Sequence, residues 1–144
     1  MLELRNSVTR DPAEIIIGDF VQKIDEFSNV SGELIEVTAF NVDKISNLSH
    51  NNRVAAIIPL IGYETPTQTG IPGEIIENVC DEFKIRRDMF RISGKDELSS
   101  SGNYRSVRFS PIDFTRSGNW ISFALGKGIY ATSMIEQLFG EIKN

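Results

Sequence analysis

The longest apolar run of the chain, Val54 to Gly62, is the feature that most limits the folds open to it. The run contains Pro59 and spans nine residues, whereas a membrane-crossing helix needs about 20 apolar residues. Its first part, Val54–Leu60, is also too short for a buried helix, so we predict a buried strand. Residues 62–73, GYETPTQTGIPG, hold three glycines and two prolines, a density that predicts a loop after that strand.

Patterns typical of strands and patterns typical of helices both occur along the chain. A turn signal at residues 29–32 predicts a hairpin between Phe20–Phe27 and Leu34–Thr38. This mixture predicts an α+β fold, with a mixed or antiparallel sheet, helices packed on it and a C-terminal helix on the sheet. The apolar stripe expected to hold that last helix includes Met134, Ile135, Leu138 and Phe139. The other predicted elements are helices at Val42–Leu48, Glu74–Phe83, Arg86–Phe90 and Tyr130–Ile142, and strands at Tyr104–Phe109 and Trp120–Leu125.

Length and composition fit one compact domain. The chain has 144 residues, 40% of them apolar, which is enough for a core and too little for two full domains. Its single cysteine, Cys80, permits no internal disulfide and is expected to be a buried structural thiol. Its single histidine, His50, argues against a histidine-rich metal site, so no metal is predicted. The first residues lack the apolar core of a signal peptide, and we expect a soluble cytoplasmic protein.

Charge is segregated along the sequence. Residues 1–83 hold five basic and fourteen acidic residues, a net of −9, and residues 84–144 hold ten basic and six acidic residues, a net of +4. A polyanion would be attracted to the second part and repelled by the first. A solvated surface with chance clustering of charge accounts for the same counts, so charge alone leaves both interpretations open.

A glycine-bracketed lysine follows the last predicted strand. In the stretch 125–132, LGKGIYAT, Gly126 and Gly128 flank Lys127, and Tyr130 opens a helix. Such a turn can direct backbone N–H groups and a lysine at an anion, with an aromatic ring beside them. That arrangement suits a phosphate and a stacked base. In the alternative interpretation the glycines only make the turn and Tyr130 caps the core.

Several segments together resemble the TruD family of tRNA pseudouridine synthases. The stretch 123–138, FALGKGIYATSMIEQL, is similar to the family's C-terminal signature, F-x-L-P-K-G-[SA]-[YF]-A-T-x-x-[LV]-R-E-L. The stretch 57–64, IIPLIGYE, resembles the family segment P-L-x-G-Y-[ED]. Residues 97–102, ELSSSG, followed by Arg105 and by the Pro-Ile-Asp at 111–113, resemble what archaeal members carry next. The order of these segments holds across most of the chain.

This resemblance implies a domain organisation and a reaction. About residues 1–110 resemble the family's inserted domain, and about residues 111–144 resemble the end of its catalytic domain. The family isomerises a uridine in RNA to pseudouridine without a metal or an organic cofactor. An aspartate acts on the flipped uridine, the C1′–N1 bond breaks, and the base reattaches through C5. Extruding a base requires an aromatic surface and a clamp on the backbone.

The resemblance also implies where RNA would contact the chain. By position, Tyr130 would stack near the target base, while Lys127 and the Gly128 amide would contact a nearby phosphate or the RNA backbone. Arg105, in the basic part of the chain, completes the expected RNA-binding set. The implied partner is RNA, and tRNA in particular.

Departures from the family pattern bear on catalysis. Gly126 stands where the family has proline, Ile129 replaces a small residue, and Glu136 stands where the family has arginine. The family's nucleophilic aspartate lies in an A-G-x-K-D-x-x-A-x-T motif, which these 144 residues do not contain. Asp96, in Gly-Lys-Asp at 94–96, lacks the alanine and threonine that follow in the motif. We therefore predict no catalytic residue in this chain and no activity unless a partner supplies the N-terminal half.

Three other functions stay open from the sequence. The chain could be a free-standing RNA-binding or structural domain without catalysis. It could be a protein-interaction adaptor that uses its acidic first part. An unrelated small-molecule enzyme ranks last, because no catalytic set can be assembled from these residues.

Overall fold

The computed structural model describes residues 2–9, 11, 14–27, 29–126 and 129–140. The described residues form four α-helices, six β-strands and two short 3₁₀ turns. The helices are α1 (Leu2–Val8), α2 (Val42–His50), α3 (Gly70–Glu82) and α4 (Ala131–Phe139). The strands are β1 (Phe20–Ile24), β2 (Val30–Glu36), β3 (Val54–Leu60), β4 (Asn103–Ser106), β5 (Ile112–Ser117) and β6 (Trp120–Ala124), and the 3₁₀ turns are Arg87–Phe90 and Asp96–Leu98.

The first four strands form one antiparallel sheet in the order β2-β1-β3-β4. The apolar run becomes β3, which lies between β1 and β4, so the prediction of a buried strand is confirmed. Phe20 of β1 lies opposite Ile57 of β3, and Arg105 of β4 lies opposite Ile58. The β1–β2 hairpin is also confirmed, although residues 30–32 of the predicted turn lie within β2. The α+β fold with an antiparallel sheet is therefore as predicted.

Helices cover both faces of this sheet. On one face, Ile45 of α2 packs in a core with Val54 and Ala56 of β3, and Leu48 borders that core. Because successive strand residues point to opposite faces, Ile57 points away from α2. A void of about 20 Å³ on that side is lined by β3 together with α1 and α3. The full α2-side core comprises Ile15, Val21, Val37, Ile45, Val54, Ala56 and Val107.

Helix α1 was not predicted, and a buried ion pair anchors it. The Arg5 guanidinium donates to the Asp19 carboxylate at 2.7 Å and to the Glu14 carbonyl oxygen at 2.7 Å. The Arg5 and Asp19 side chains are only 5% and 4% exposed. The helix has seven residues, which is too short to show a recognisable apolar period, and its anchor is a charge.

Helix α3 begins earlier than predicted. It starts at Gly70 rather than Glu74, so the predicted loop is wrong for its last four residues. Pro72 lies in the first turn, where backbone N–H groups have no helical partner and proline costs little. Cys80 of this helix is 4% exposed, as expected for a structural thiol.

The last three elements are largely exposed. β5 and β6 form a separate antiparallel hairpin, in which the Phe114 and Phe123 rings stack 6.4 Å apart. Strand β5 was not predicted, since no element was assigned to Ile112–Ser117. The prediction of β6 is confirmed through Ala124.

Helix α4 is confirmed, but the prediction for its apolar stripe is only half right. Met134 is buried and Ile135 is partly buried, whereas Leu138 is 51% and Phe139 is 60% exposed. The prediction is therefore wrong for the second half of the stripe, because no described element covers that end of the helix. Ile142 lies outside the described residues.

Candidate functional site

Arg105 and Tyr130 meet at the outer edge of the four-stranded sheet. The guanidinium carbon of Arg105 lies 5.9 Å from the centroid of the Tyr130 ring. Arg105 is on β4, which is the edge strand of the sheet. Tyr130 is the residue that caps the N-terminus of α4, and its backbone is extended there. The fold thus brings together two residues that the sequence analysis named separately.

The Tyr130 ring faces solvent. It is 64% exposed, so the alternative interpretation in which this ring caps the core is wrong. Met134, one turn later, supplies the buried contact of α4 instead, at 3% exposure. An exposed aromatic ring beside a cation leaves a ring face and a charged group open to a ligand.

The backbone at Gly126, four residues before Tyr130, packs closely on the β1–β2 turn. A Cβ at Gly126 would lie 2.1 Å from the Phe27 carbonyl oxygen and 2.9 Å from Asn29 Oδ1, so only glycine fits in this arrangement. The Asp25 carboxylate holds the β1–β2 turn by accepting hydrogen bonds from the Phe27 and Asn29 backbones. Hydrogen bonds from Asn29 lower the pKa of Asp25. Lys127 and Gly128 lie outside the described residues.

The cations of the basic second part differ in what they contact. Arg86 is paired with Asp88 at 2.7 Å, and Arg87 is paired with Glu77 at 2.6 Å. Arg108 donates to backbone carbonyl oxygens of Ser49 and Val54, and burial lowers its pKa. Arg105 has no carboxylate within 4 Å among the described residues. Its charge is therefore available to an anion at the sheet edge.

A second arginine–tyrosine pair was missed by the sequence analysis. The guanidinium carbon of Arg91 lies 5.4 Å from the centroid of the Tyr63 ring. Tyr63 follows β3 in the P-L-x-G-Y segment, which offered a signal, since a tyrosine between glycine and glutamate after a buried strand is hard to explain as packing. Arg91 offered none, because only the fold places it over that ring.

The fold also joins two of the sequence segments that carried the resemblance. The backbone N–H groups of Tyr63 and Glu64 donate to the carbonyl oxygens of Ser100 and Ser101, at 3.0 and 3.2 Å. Gly62 packs so closely on Gly102 that a Cβ at Gly62 would lie 2.0 Å from the Gly102 nitrogen. The segments 57–64 and 97–102 are thus one structural unit at the end of β3.

Neither Asp96 nor a metal-binding group among the described residues adds to the site formed by Arg105 and Tyr130. Asp96 is exposed in the second 3₁₀ turn. Within the described ranges, no group of three or more His, Cys, Asp or Glu side chains is placed to hold a metal ion. Over the same ranges, no helix has the length and apolar character needed to cross a membrane.

Comparisons with known proteins agree on one family. The family model for tRNA pseudouridine synthase D (TruD) matches residues 1–138. A probable tRNA pseudouridine synthase D of Picrophilus torridus is 33% identical over 141 residues, which cover 96% of this chain and 34% of the relative. The corresponding protein of Thermoplasma acidophilum is 37% identical over 128 residues, which cover 88% of this chain and 31% of the relative.

A solved structure supports the same assignment. The crystal structure of the putative tRNA pseudouridine synthase D of Methanosarcina mazei superposes with a TM-score of 0.75 at 27% identity. The superposed residues cover 94% of this chain and 34% of the Methanosarcina chain. The present chain thus spans about a third of the length of the relatives that it matches. The chain belongs to the TruD family of tRNA pseudouridine synthases, and its sequence is of the C-terminal type.

Proposed function

We propose that this chain supplies the RNA-contacting part of a TruD-type uridine isomerisation site. The observation that carries the proposal is the exposed Tyr130 ring with the Arg105 guanidinium beside it. In this proposal Tyr130 stacks on a base next to or at the target uridine, and Arg105 neutralises a phosphate of the same RNA. Lys127 and Gly128 are proposed to contact the neighbouring backbone, on the strength of the sequence signature alone.

Magnitudes favour an open site over a closed structural contact. An exposed cation–π pair stabilises a fold by only about 0.5–1 kcal/mol. Stacking a base on an aromatic side chain contributes about 1–3 kcal/mol. A base can therefore displace or share the contact between Arg105 and Tyr130 without unfolding the surrounding structure.

We propose that the chemistry itself requires residues outside these 144. The family's aspartate is expected to act as the C1′–N1 bond of the flipped uridine breaks. The base then rotates and bonds to C1′ through C5, after which C5 loses its proton and N1 carries one, so that the isomerisation balances. This isomerisation needs no external oxidant, metal or cofactor. The chain's own contribution is to hold the strand and stack the base, which offsets the cost of unstacking.

We propose that the exposed surface of β5, β6 and α4 packs against the polypeptide that carries this aspartate, whether on the same chain or on a partner. Four large apolar side chains there face solvent: Phe114 at 44%, Trp120 at 82%, Leu138 at 51% and Phe139 at 60% exposure. Proteins rarely leave many such side chains on one region uncovered. The relatives are about three times longer than this chain, so they contain further polypeptide of a size that could cover this surface.

The break between the four-stranded sheet and the β5–β6 hairpin supports a division into two domains. The four-stranded sheet ends with β4 at Ser106, and the separate hairpin begins at Ile112. We propose that about residues 1–110 are the inserted domain and that about residues 111–144 belong to the catalytic domain. We also place the protein in the cytoplasm, where tRNA substrates of this family would be met.

Titration of a labelled tRNA transcript tests the RNA-contacting role. We expect the full chain to bind weakly, with an affinity that falls as salt rises. Arg105→Gln should weaken binding and lower the salt slope by about one unit. Arg53→Gln removes another exposed arginine from the acidic first part and serves as the matched control. Equal, small effects of Arg105→Gln and Arg53→Gln in folded proteins would contradict the proposal and favour the acidic adaptor.

Docking at the exposed surface of β5, β6 and α4 can be tested through Trp120, the only tryptophan of the chain. In the chain alone, we expect emission typical of solvent-exposed indole and strong quenching by acrylamide. Co-expression with the remaining portion of the Thermoplasma acidophilum relative should give a complex with blue-shifted, protected emission. A co-purified complex in which Trp120 stays fully quenchable would contradict docking at this surface.

A further inference from the structure

Two arginines of the described chain lie over tyrosine rings, and only one of these pairs belongs to the site above. Arg91 is exposed, and it has no carboxylate within 4 Å among the described residues. Its contact at 5.4 Å with Tyr63 is closer than the 5.9 Å contact of Arg105 with Tyr130. The second pair thus repeats the cation–ring contact of the first, with the Tyr63 ring partly buried where the Tyr130 ring is exposed.

The Tyr63 ring is held by a rigid backbone. Its N–H donates to Ser100 at 3.0 Å, and the N–H of Gly62 donates to Thr65 Oγ1 at 2.8 Å. Ser100 in turn donates its N–H to the Phe90 carbonyl oxygen at 2.9 Å, next to Arg91. One hydrogen-bond network therefore positions both the ring and the arginine, which reduces the ordering cost of binding a ligand.

The surroundings combine charge with exposed apolar surface. Lys84 and Lys95 lie on either side of Arg91 in the sequence, and both are exposed. Residues 84–98 carry five basic and three acidic residues, a net of +2. Exposed apolar side chains in the same stretch include Met89 at 58%, Ile92 at 41% and Leu98 at 60%, and Phe83 just before it is 66% exposed. Cations interleaved with apolar and aromatic surface suit single-stranded nucleic acid, whose bases and phosphates alternate in the same way.

Both pairs lie next to β4 or next to the segment that leads into it. Arg105 is on β4 and lies opposite Ile58 of β3, and the Tyr63 N–H donates to Ser100, three residues before β4 begins. Tyr63 follows Ile58 by five residues, so it lies within about 18 Å of Ile58, because a fully extended chain spans at most about 3.6 Å per residue. A single strand that advances about 3.4 Å per nucleotide covers about 34 Å in ten nucleotides, which exceeds that bound.

We propose that Tyr63 and Arg91 form a second RNA contact, in which Tyr63 stacks on an unpaired base and Arg91 binds an adjacent phosphate. The inference rests on the proposed RNA-contacting role of Tyr130 and extends it. In this proposal the same single strand meets both pairs.

Binding of labelled oligouridylates of three and ten nucleotides to the full chain tests the inference. The ten-nucleotide strand can reach both pairs and should bind more tightly than the three-nucleotide strand. Tyr63→Ala should lower affinity for the longer strand by about 5- to 150-fold and remove most of its advantage. Arg91→Gln should lower the salt slope by about one unit, while Tyr63→Phe and Arg91→Lys should bind nearly as the parent does.

The outcomes separate this inference from the proposed function. If Tyr130→Ala weakens binding and neither Tyr63→Ala nor Arg91→Gln does, in proteins with unchanged melting, the second contact is wrong and the first stands. If only the Tyr63 and Arg91 variants weaken binding, the site at Tyr130 is wrong and the second contact alone remains. If Tyr63→Ala lowers the melting temperature, the Arg91→Gln variant decides, because Arg91 is exposed and its own melting temperature shows whether the fold is kept.

Discussion

The carbonyl oxygen of Phe27 lies so close to Gly126 that a Cβ there would approach it to 2.1 Å. Through this contact the β1–β2 turn packs against the backbone just after β6, four residues before Tyr130. The family signature carries proline at the position of Gly126, and a proline has the Cβ that this arrangement excludes. The backbone of this chain has therefore adapted to glycine at the entrance to the site.

Replacing Gly126 with alanine should destabilise the fold, because the backbone oxygen of Phe27 cannot move aside as a flexible side chain would. Overpacking of this kind costs about 1–3 kcal/mol. Urea unfolding of the variant measures the change in the free energy of unfolding. Gly32→Asn is the control, since Gly32 sits at a positive φ of 83° with open space around it, and asparagine tolerates that backbone. Equal effects of the two substitutions would contradict the close packing at Gly126.

The buried ion pair of Arg5 and Asp19 should be costly to break from one side. Asp19→Ala leaves the Arg5 guanidinium buried without its carboxylate and also removes the acceptor of the Ile16 N–H. We expect a loss of about 3–5 kcal/mol in the free energy of unfolding. The double substitution Arg5→Met with Asp19→Ala should cost clearly less than the sum of the single changes. Additive costs in this double-mutant cycle would show that the pair is not coupled.

Cys80 should be nearly inert in the folded protein. Burial raises the pKa of its thiol above the ordinary 9.0, so little thiolate exists near neutral pH. Ellman's reagent should react slowly at pH 8 and rapidly after denaturation in guanidinium. Because the folded state holds this proton more tightly than the unfolded state, its stabilising effect is complete below pH 9 and is lost as pH rises beyond that value. Rapid labelling of the folded protein at pH 8 would contradict the burial.

The isolated chain should form no pseudouridine in any tRNA. The motif that carries the family's nucleophilic aspartate does not occur in these 144 residues, and Asp96 lies exposed in a 3₁₀ turn. Chemical mapping of pseudouridine in tRNA after incubation with the purified chain measures this. Turnover that disappears in Asp96→Asn would show that Asp96 is catalytic after all.

The sequence predicted the parts of this fold whose signals are local. The continuous apolar side chains of Val54–Leu60 predicted a buried strand. The spacing of Ile45 and Leu48 predicted which face of α2 packs in the core. It did not reveal α1, whose anchor Arg5 is a charge that becomes buried only when Asp19 approaches from another element. It also placed the start of α3 too late, since Pro72 resembles a helix breaker until the first turn is known.

Arg105 and Tyr130 could be named from the sequence as candidate site residues, but the contact between them could not be predicted. Tyr130 stood out beside the glycines, and Arg105 belonged to the basic half, but 25 residues separate them in the chain. Their contact depends on the position of β4 at the sheet edge. Arg91 shows the limit more clearly, because nothing near it in sequence marks the ring of Tyr63 as its neighbour.

Crosslinking of RNA to the chain tests directly whether RNA contacts Tyr130. A tRNA transcript that contains 4-thiouridine is bound to the full chain, irradiated and digested with trypsin, and crosslinked peptides are located by mass spectrometry. Cleavage after Lys127 places Tyr130 in its own peptide, which begins at Gly128. We expect salt-sensitive crosslinks in that peptide, which Tyr130→Ala abolishes while the protein stays folded. Crosslinks confined to the acidic residues 1–83, or none at low salt, would contradict it.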